Sequence, residues 1–301
     1  MIQKAEETMS DTPVGGLEIR RLGILAGNGQ LPFEALKEAL SAGLPVTVAA
    51  IKEETELELE KLARSAGGRV NFHWIGVGQL GRLLKIFRVD AVDCAIMVGQ
   101  VKHVRIFAPS ARSPLDHLRH LPDLKMVRML ASLERRNTES LIRGIIEAVE
   151  SQGIRFLDST LFLKRLLPAP GLLTRRTPNR EEQKDIDFGR PLALEIARLD
   201  IGQTIVVKNQ AVVAVEAMEG TDDTIRRAAR LVQGQRLTVV KVSRPAQDMR
   251  FDVPVIGPRT VRVLREANVS AIALDAGRTI ILEKEKVIEQ LNHSGISMVA
   301  F

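Results

Sequence analysis

The chain holds a single cysteine, Cys94, so no disulfide can close within it, and a reducing cytoplasmic compartment is expected. Inside the apolar run CAIMVG, Cys94 reads as a small core residue. Aromatic side chains are scarce at 3%, with no Tyr and Trp74 as the lone Trp. Stacking platforms for single-stranded nucleic acid are therefore missing, and aliphatic residues must fill the core. No stretch reaches the roughly 18 apolar residues that would mark a spanning helix, which leaves peripheral membrane contact open. The first seventeen residues lack the apolar segment of a signal peptide and read as a loose extension. No long basic block occurs. The formal charge of +6 is interleaved with acids, and no nucleic-acid partner is expected from it. A phosphorylated ligand or an anionic lipid surface suits the same charge. There is no P-loop, no GxGxxG, no Ser–His–Asp pattern and no cysteine metal pair. DHLRH (116–120) places His117 and His120 three apart but lacks the glutamate of a zinc-protease helix.

What the sequence does contain is an ordinary globular composition, 45% hydrophobic and 27% charged over 301 residues, enough for about two domains. The first part alternates short apolar runs with helical patterns. RLGILAG (21–27), PVTVAAI (45–51), VNFHWIGV (70–77), CAIMVGQV (94–101) and IRFLDS (154–159) read as strands. Helical periodicity falls at 31–43, 54–67 and 79–89, and in LPDLKMVRMLASLERR and TESLIRGIIEAVESQG. That order predicts an α/β fold, a Rossmann-like domain with a mostly parallel sheet, over residues 18–165. The Pro-rich, charged stretch 166–183 reads as a linker. Residues 184–301 have a different order. A helix comes first, then TIVVKNQAVVAVEA (204–217) as a hairpin split at KNQ, a helix at 221–232 and a strand at 237–243. A helix at 258–269, a second hairpin at 271–283, a helix and a last strand complete the chain. This predicts a second, mixed α/β domain.

Four segments are candidates for chemistry. In GILAGNGQLP (23–32), Gly27, Asn28, Gly29 and Gln30 join a strand to a helix start, where free N–H groups can meet an anion. The location, beyond the carboxyl end of a strand, is where open α/β sheets bind ligands; a plain strand-to-helix turn fits the residues as well. In MVGQVKH (97–103), Gly99, Gln100, Val101, Lys102 and His103 are expected along the same sheet edge; a loop that happens to be basic fits too. In VEAMEGTDDTIRR (215–227), carboxylates gather around Gly220. Thr221 as a cap, with Asp222 and Asp223 in the first helical turn, accounts for part of this. Glu216 and Glu219 lie before the helix, and with Asp222 they offer oxygen ligands for Mg²⁺. In QDMRFDVPVIGPRTV (247–261), Arg250 and Asp252 flank Phe251 and share a face if the segment is extended. They could serve phosphate and metal or water, or form an ordinary surface pair. His73, in an apolar strand, reads as a core or edge residue.

Taken together, LGILAGNGQLP, the MVGQV loop, LDIGQTIVVKNQAVVAVEAMEGTDDTIRR and RFDVPVIGPRTV resemble the UDP-2,3-diacylglucosamine pyrophosphatases of lipid A biosynthesis. The match is to their two-domain α/β form, unrelated to the calcineurin-like enzymes of the same step, and it runs from about Leu22 to the C-terminus. Asn28 departs from the pattern, standing where many relatives have glycine, and the segment before Gly23 is outside it. The resemblance implies hydrolysis of UDP-2,3-diacylglucosamine to UMP and 2,3-diacylglucosamine 1-phosphate (lipid X), with water attacking the β-phosphate. It implies a divalent ion (Mg²⁺ or Mn²⁺), a substrate lying between the domains and an inner-leaflet membrane surface nearby; a homodimer is compatible with it. The family's critical aspartate falls on Asp252, with Glu216, Glu219 and Asp222 of the matching acidic turn as supporting carboxylates. On physical grounds Arg250 and Lys241 could then bind phosphate and offset its charge. A non-catalytic sugar-nucleotide sensor and a nucleotide-dependent oxidoreductase are the competing readings. The second lacks the third glycine and the acidic ribose contact that such a site uses.

Overall fold

A computed structural model describes residues 12–14, 16–101, 122–133, 138–244, 248–251 and 253–301. The chain divides into two compact units, Met1–Phe162 and Leu163–Phe301.

In the first unit, β1 (Thr12–Val14) pairs antiparallel with β2 (Leu17–Ile19). Part of the segment expected to be loose is therefore a strand. The main sheet contains β3 (Leu22–Ala26), β4 (Val46–Ile51), β5 (Val70–Ile75), β6 (Cys94–Val98) and β7 (Arg155–Phe156). All its pairings are parallel, and the order is β5-β4-β3-β6-β7. Every residue of β3 and β4 is buried, as expected for inner strands of a parallel sheet covered on both faces. The helices are α1 (Leu31–Ser41), α2 (Glu58–Ser65), α3 (Leu80–Val89), α4 (Leu124–Ser132) and α5 (Thr138–Glu150). Pro32 sits in the first turn of α1, where its missing N–H costs nothing. α2 starts later than its periodicity suggested because Thr55 is used elsewhere. Its hydroxyl donates to the Ala26 carbonyl at 2.6 Å and accepts from the Ile51 amide at 3.1 Å. Asp123 anchors two helices, accepting from Met126 N in α4 at 2.9 Å and from Gly81 N in α3 at 2.6 Å.

The second unit is built on a mixed six-stranded sheet. It contains β8 (Gly171–Leu172), β9 (Thr204–Lys208), β10 (Ala211–Val215), β11 (Leu237–Lys241), β13 (Val269–Leu274) and β15 (Ser297–Ala300), in the order β10-β9-β11-β13-β15-β8. The hairpin expected across KNQ is β9–β10, with Asn209 and Gln210 both at positive φ. The second expected hairpin does not form. β13 runs parallel between β11 and β15, while β14 (Ile280–Ile281) pairs parallel with β12 (Val255–Ile256). A turn after an apolar run announces a reversal but does not name the partner of the next strand. The stretch 166–183 contributes β8, which pairs with β15, and the start of α6 (Arg180–Arg198). Asn179 and Glu182 form a capping box there.

Side chains alternate along the strands. Ile205, Val207, Val240, Ala271 and Ala273 pack with Ile186, Ala193 and Ala197 of α6. Val206, Val239, Ile272 and Met298 face the other helices, α7 (Thr221–Leu231), α8 (Pro258–Glu266) and α9 (Lys284–His293). The second unit thus has three layers, with α6 covering one side. No described helix is long and apolar enough to cross a membrane.

Candidate active site

In the first unit, β3 and β6 are neighbours, yet the chain leaves β3 toward β4 and returns to β6 from the other side. Their carboxyl ends therefore flank a topological switch point, the usual ligand crevice of an open α/β sheet. Both predicted glycine loops lie there and are bonded to each other. Gly27 N donates to Val98 O at 2.8 Å, Asn28 N to Gln100 O at 2.7 Å, and Gln100 N to Asn28 O at 3.0 Å. The Asn28 side chain donates to the Glu54 carbonyl at 2.9 Å. A Cβ on Gly27 would come within 2.8 Å of Gln100 O, and one on Gly99 (φ +93°) within 2.7 Å of Asn28 O. These two glycines are needed for one loop to lie against the other, a requirement that exists before any ligand. Gly29 (φ +93°) has open space around its missing Cβ. Gln30 precedes α1 and accepts from the amides of Phe33 and Glu34 through its carbonyl. Val101 ends the described part of the second loop; Lys102, His103, His117 and His120 lie outside the described residues. His73, on edge strand β5, bonds Asp90 at 3.1 Å.

In the second unit, the carboxyl ends of β10 and β11 and the start of β9 meet at one edge of the sheet, since Lys241 is registered with Thr204 and Val215 with Ile205. α7 begins at the same edge. Gly220 (φ +83°) opens α7, and its carbonyl accepts from the Thr224 hydroxyl at 2.9 Å. Thr221, expected as the cap, is the first helical residue, and its hydroxyl is turned to another task. It donates to Glu216 Oε1 at 2.8 Å and accepts from Lys241 Nζ at 2.8 Å. Lys241 Nζ also reaches Thr204 Oγ1 at 3.3 Å and lies 4.0 Å from Glu216 Oε2. The Lys241 side chain is only 7% exposed. A buried ammonium is costly unless paired and hydrogen-bonded, and here Thr204, Glu216 and Thr221 supply the partners. A pocket of about 280 Å³ opens over this group, lined by Asp200, Gly202, Gln203, Glu216, Lys241 and Arg244 among others. Gly202 lies directly against the Glu216 backbone, where a Cβ would collide with the Glu216 carbonyl. Arg244 pairs with Asp200 at the rim.

The carboxylates of the acidic turn do not converge. Glu219 accepts from Arg227 at 2.7 Å, from Thr224 Oγ1 at 3.2 Å and from the Ala217 amide at 3.2 Å. Its carboxyl is held below the usual glutamate range, first by its own backbone amide and then by Arg227. Asp222 pairs with Arg259 at 2.9 Å. Among the described residues no three His, Cys, Asp or Glu side chains come together as a metal shell. Glu216, Glu219 and Asp222, as placed, do not fit a divalent ion among themselves; Asp252 lies outside the described residues. Arg250 is described, and its surroundings differ from the extended strand that the sequence suggested. Residues 249–251 form a turn, with Phe251 N donating to Asp248 O at 3.2 Å. The Arg250 guanidinium grips Asp248 through Nε at 2.9 Å and Nη2 at 2.7 Å.

Sequence reading thus anticipated Lys241, Thr221 and Glu216, which the fold brings together. It missed Asp200, Gly202, Gln203 and Arg244. Gly202 and Gln203 sit inside the IGQ of a quoted motif; Arg244 carries no local signal beyond lying three residues past Lys241.

Comparison with known proteins bears on both units. Residues 21–166 match the family model described as the LpxI N-terminal domain, and residues 169–299 match the LpxI C-terminal domain. The UDP-2,3-diacylglucosamine pyrophosphatase LpxI of Caulobacter vibrioides is 30% identical over 288 residues, covering 92% of this chain and 96% of that protein.

Proposed function

The chain belongs to the LpxI family, and from that premise we propose that it is an enzyme that hydrolyses UDP-2,3-diacylglucosamine to UMP and 2,3-diacylglucosamine 1-phosphate in lipid A biosynthesis. The observation that carries the proposal is the Lys241 pocket, a polar cavity with a buried cation on its floor. It lies in the unit that matches the LpxI C-terminal domain.

A pyrophosphate diester resists water because its anionic oxygens repel a nucleophile. A fixed ammonium in a partly water-excluded pocket offsets that charge as it shifts toward the leaving phosphate. Lys241 is suited to this because Thr221 and Thr204 fix its position and the Glu216 carboxylate lies 4.0 Å away as a counter-charge. In this reading water attacks the β-phosphorus, the bond to the bridging oxygen breaks, and UMP leaves with that oxygen. Asp252 positions the water, and Arg250 exchanges Asp248 for a phosphate oxygen.

The pocket rim supports a lipid substrate. Leu199, Ile201 and Met218 are large apolar side chains left exposed on the two loops beside the pocket, Met218 fully so. Acyl chains, or the surface of an anionic bilayer, would cover such groups. Dependence on Mg²⁺ or Mn²⁺ belongs to the proposal as a separate claim. A bound ion would supply further neutralisation of the pyrophosphate, and no step is assigned to it because the described carboxylates do not make its shell.

The test is turnover. Purified protein with UDP-2,3-diacylglucosamine and Mg²⁺ should release UMP and the diacylated sugar phosphate in equal amounts. Asp252→Asn should slow release by about a hundredfold or more. Substrate that binds without being cleaved would support a sensor instead.

A further inference from the structure

The geometry points to Arg244 as a second cation for the substrate's pyrophosphate, held in the absence of substrate by Asp200 as a stand-in anion. The inference rests on the hydrolase reading of the same pocket and extends it.

A pyrophosphate spans two phosphorus centres, and one buried ammonium addresses only part of its charge. Arg244 and Lys241 line the same pocket. Lys241 ends β11 and Arg244 comes three residues later. The backbone between them is pinned. Val242 N donates to Gln203 O at 2.8 Å, Ser243 N to Asp275 Oδ2 at 2.7 Å, and Arg278 donates to the Arg244 carbonyl at 3.1 Å. The pinned carboxylate Asp275 is itself buried. This anchoring sets where the guanidinium starts, at the rim rather than the floor.

The far end of Arg244 has a different kind of partner. Its Nη1 is paired with Asp200, whose side chain is 64% exposed and whose backbone stands at φ +58°. Asp200 comes after the last turn of α6 and lies in the left-handed region, which Asp enters more readily than most non-glycine residues. The pair joins an arginine that is 27% exposed to an aspartate that is 64% exposed, and a solvent-facing carboxylate of this kind adds little to stability. It is well suited to being displaced. A phosphate meets a guanidinium with two parallel hydrogen bonds and more charge than a carboxylate. Substrate entry would exchange one anion for another without moving the backbone.

This makes the two partners act in opposite directions, which a structural ion pair would not do. Binding of UDP, as an unacylated probe, would be measured by calorimetry, and KM and kcat would be measured with UDP-2,3-diacylglucosamine. Arg244→Ala should weaken UDP binding and raise KM by about tenfold or more, with a smaller effect on kcat. Arg244→Lys should recover part of the loss. Asp200→Asn should tighten UDP binding and lower KM by about two- to fivefold, the worth of an exposed pair. In the Arg244→Ala background Asp200→Asn should do nothing further. An Asp200→Asn protein that binds UDP as poorly as Arg244→Ala would overturn the inference, as would Arg244→Ala and Arg244→Lys proteins with wild-type Kd and KM. Arg244-dependent UDP binding without hydrolysis by the wild type would uphold this assignment while removing the proposed activity.

Discussion

Among the described residues of the second unit Thr221 carries the most connected hydroxyl, and Thr221→Val removes it with almost no change in shape. Two hydrogen bonds of 2.8 Å are lost, one from Lys241 Nζ and one to Glu216 Oε1. Bonds to ionised partners are worth about 1.5–3 kcal/mol each, which sets an upper bound of about 3–6 kcal/mol for the pair. The loss will be smaller. Lys241 keeps Thr204 Oγ1 at 3.3 Å, Glu216 lies 4.0 Å away, and the pocket admits water to both. We expect a net cost of about 2 kcal/mol, read as a fall in Tm of roughly 6 °C for a unit of this size. Hydrolysis should fall further than stability, by about tenfold in kcat, because Lys241 is then free to leave the position that meets developing charge. Thermal unfolding and steady-state kinetics on the same preparations measure both effects. Thr221→Ser is the decisive comparison. It keeps the hydroxyl and should stay close to wild type. A Val protein with wild-type Tm and turnover would refute the bridging role, and a Ser protein as impaired as Val would assign the effect to the lost methyl group.

Other expectations rest on single contacts. Gly99→Ala places a Cβ 2.7 Å from Asn28 O at φ +93° and should destabilise the first unit by about 3 kcal/mol. Gly29→Ala, at the same φ but in open space, should cost only about 1–2 kcal/mol, which denaturant titration can separate. The Glu182 carboxyl is raised by burial but lowered more by Arg176, Ser270 and the Asn179 amide, so its net position is below the ordinary 4.5. Its contribution to stability is therefore complete above pH about 4.5 and is lost as pH falls through the lower folded value. Glu182→Gln should flatten that acid limb of the Tm–pH curve, and an unchanged limb would contradict it. Dialysis against a chelator should abolish hydrolysis and Mg²⁺ or Mn²⁺ should restore it; full activity after chelation would remove the metal from the proposal.

Much of the architecture was written in local patterns. Apolar runs such as LGILA and VTVAAI, spaced by helical periods, identify a parallel sheet because both faces of its inner strands are covered. The KNQ turn was legible because a short polar break splits two apolar runs, and the fold places Asn209 and Gln210 there at positive φ. Long-range pairing was not legible. Glu219 and Asp222 read as neighbours that could share an ion, but Arg227 and Arg259 take them in different directions. Nothing near Asp222 in sequence announces Arg259. The same holds for Ile280–Ile281, whose partner is Val255–Ile256 rather than the strand just before it. At the switch point the glycine pattern was visible but its reason was not. Gly27 and Gly99 serve each other's loops, a contact made only once β3 and β6 lie side by side. Lys241 was reachable as a cation at the end of an apolar strand, outside the family motifs, while Arg244 emerged only from its place on the pocket rim.

The central claim is that this chain cleaves a sugar-nucleotide pyrophosphate by attack on the phosphorus nearer the sugar. A single turnover of UDP-2,3-diacylglucosamine in H₂¹⁸O, with both products weighed by mass spectrometry, tests it most directly. The account predicts one ¹⁸O in the diacylglucosamine 1-phosphate and none in UMP. Label in UMP would contradict the direction of attack, and the absence of both products would contradict the activity itself.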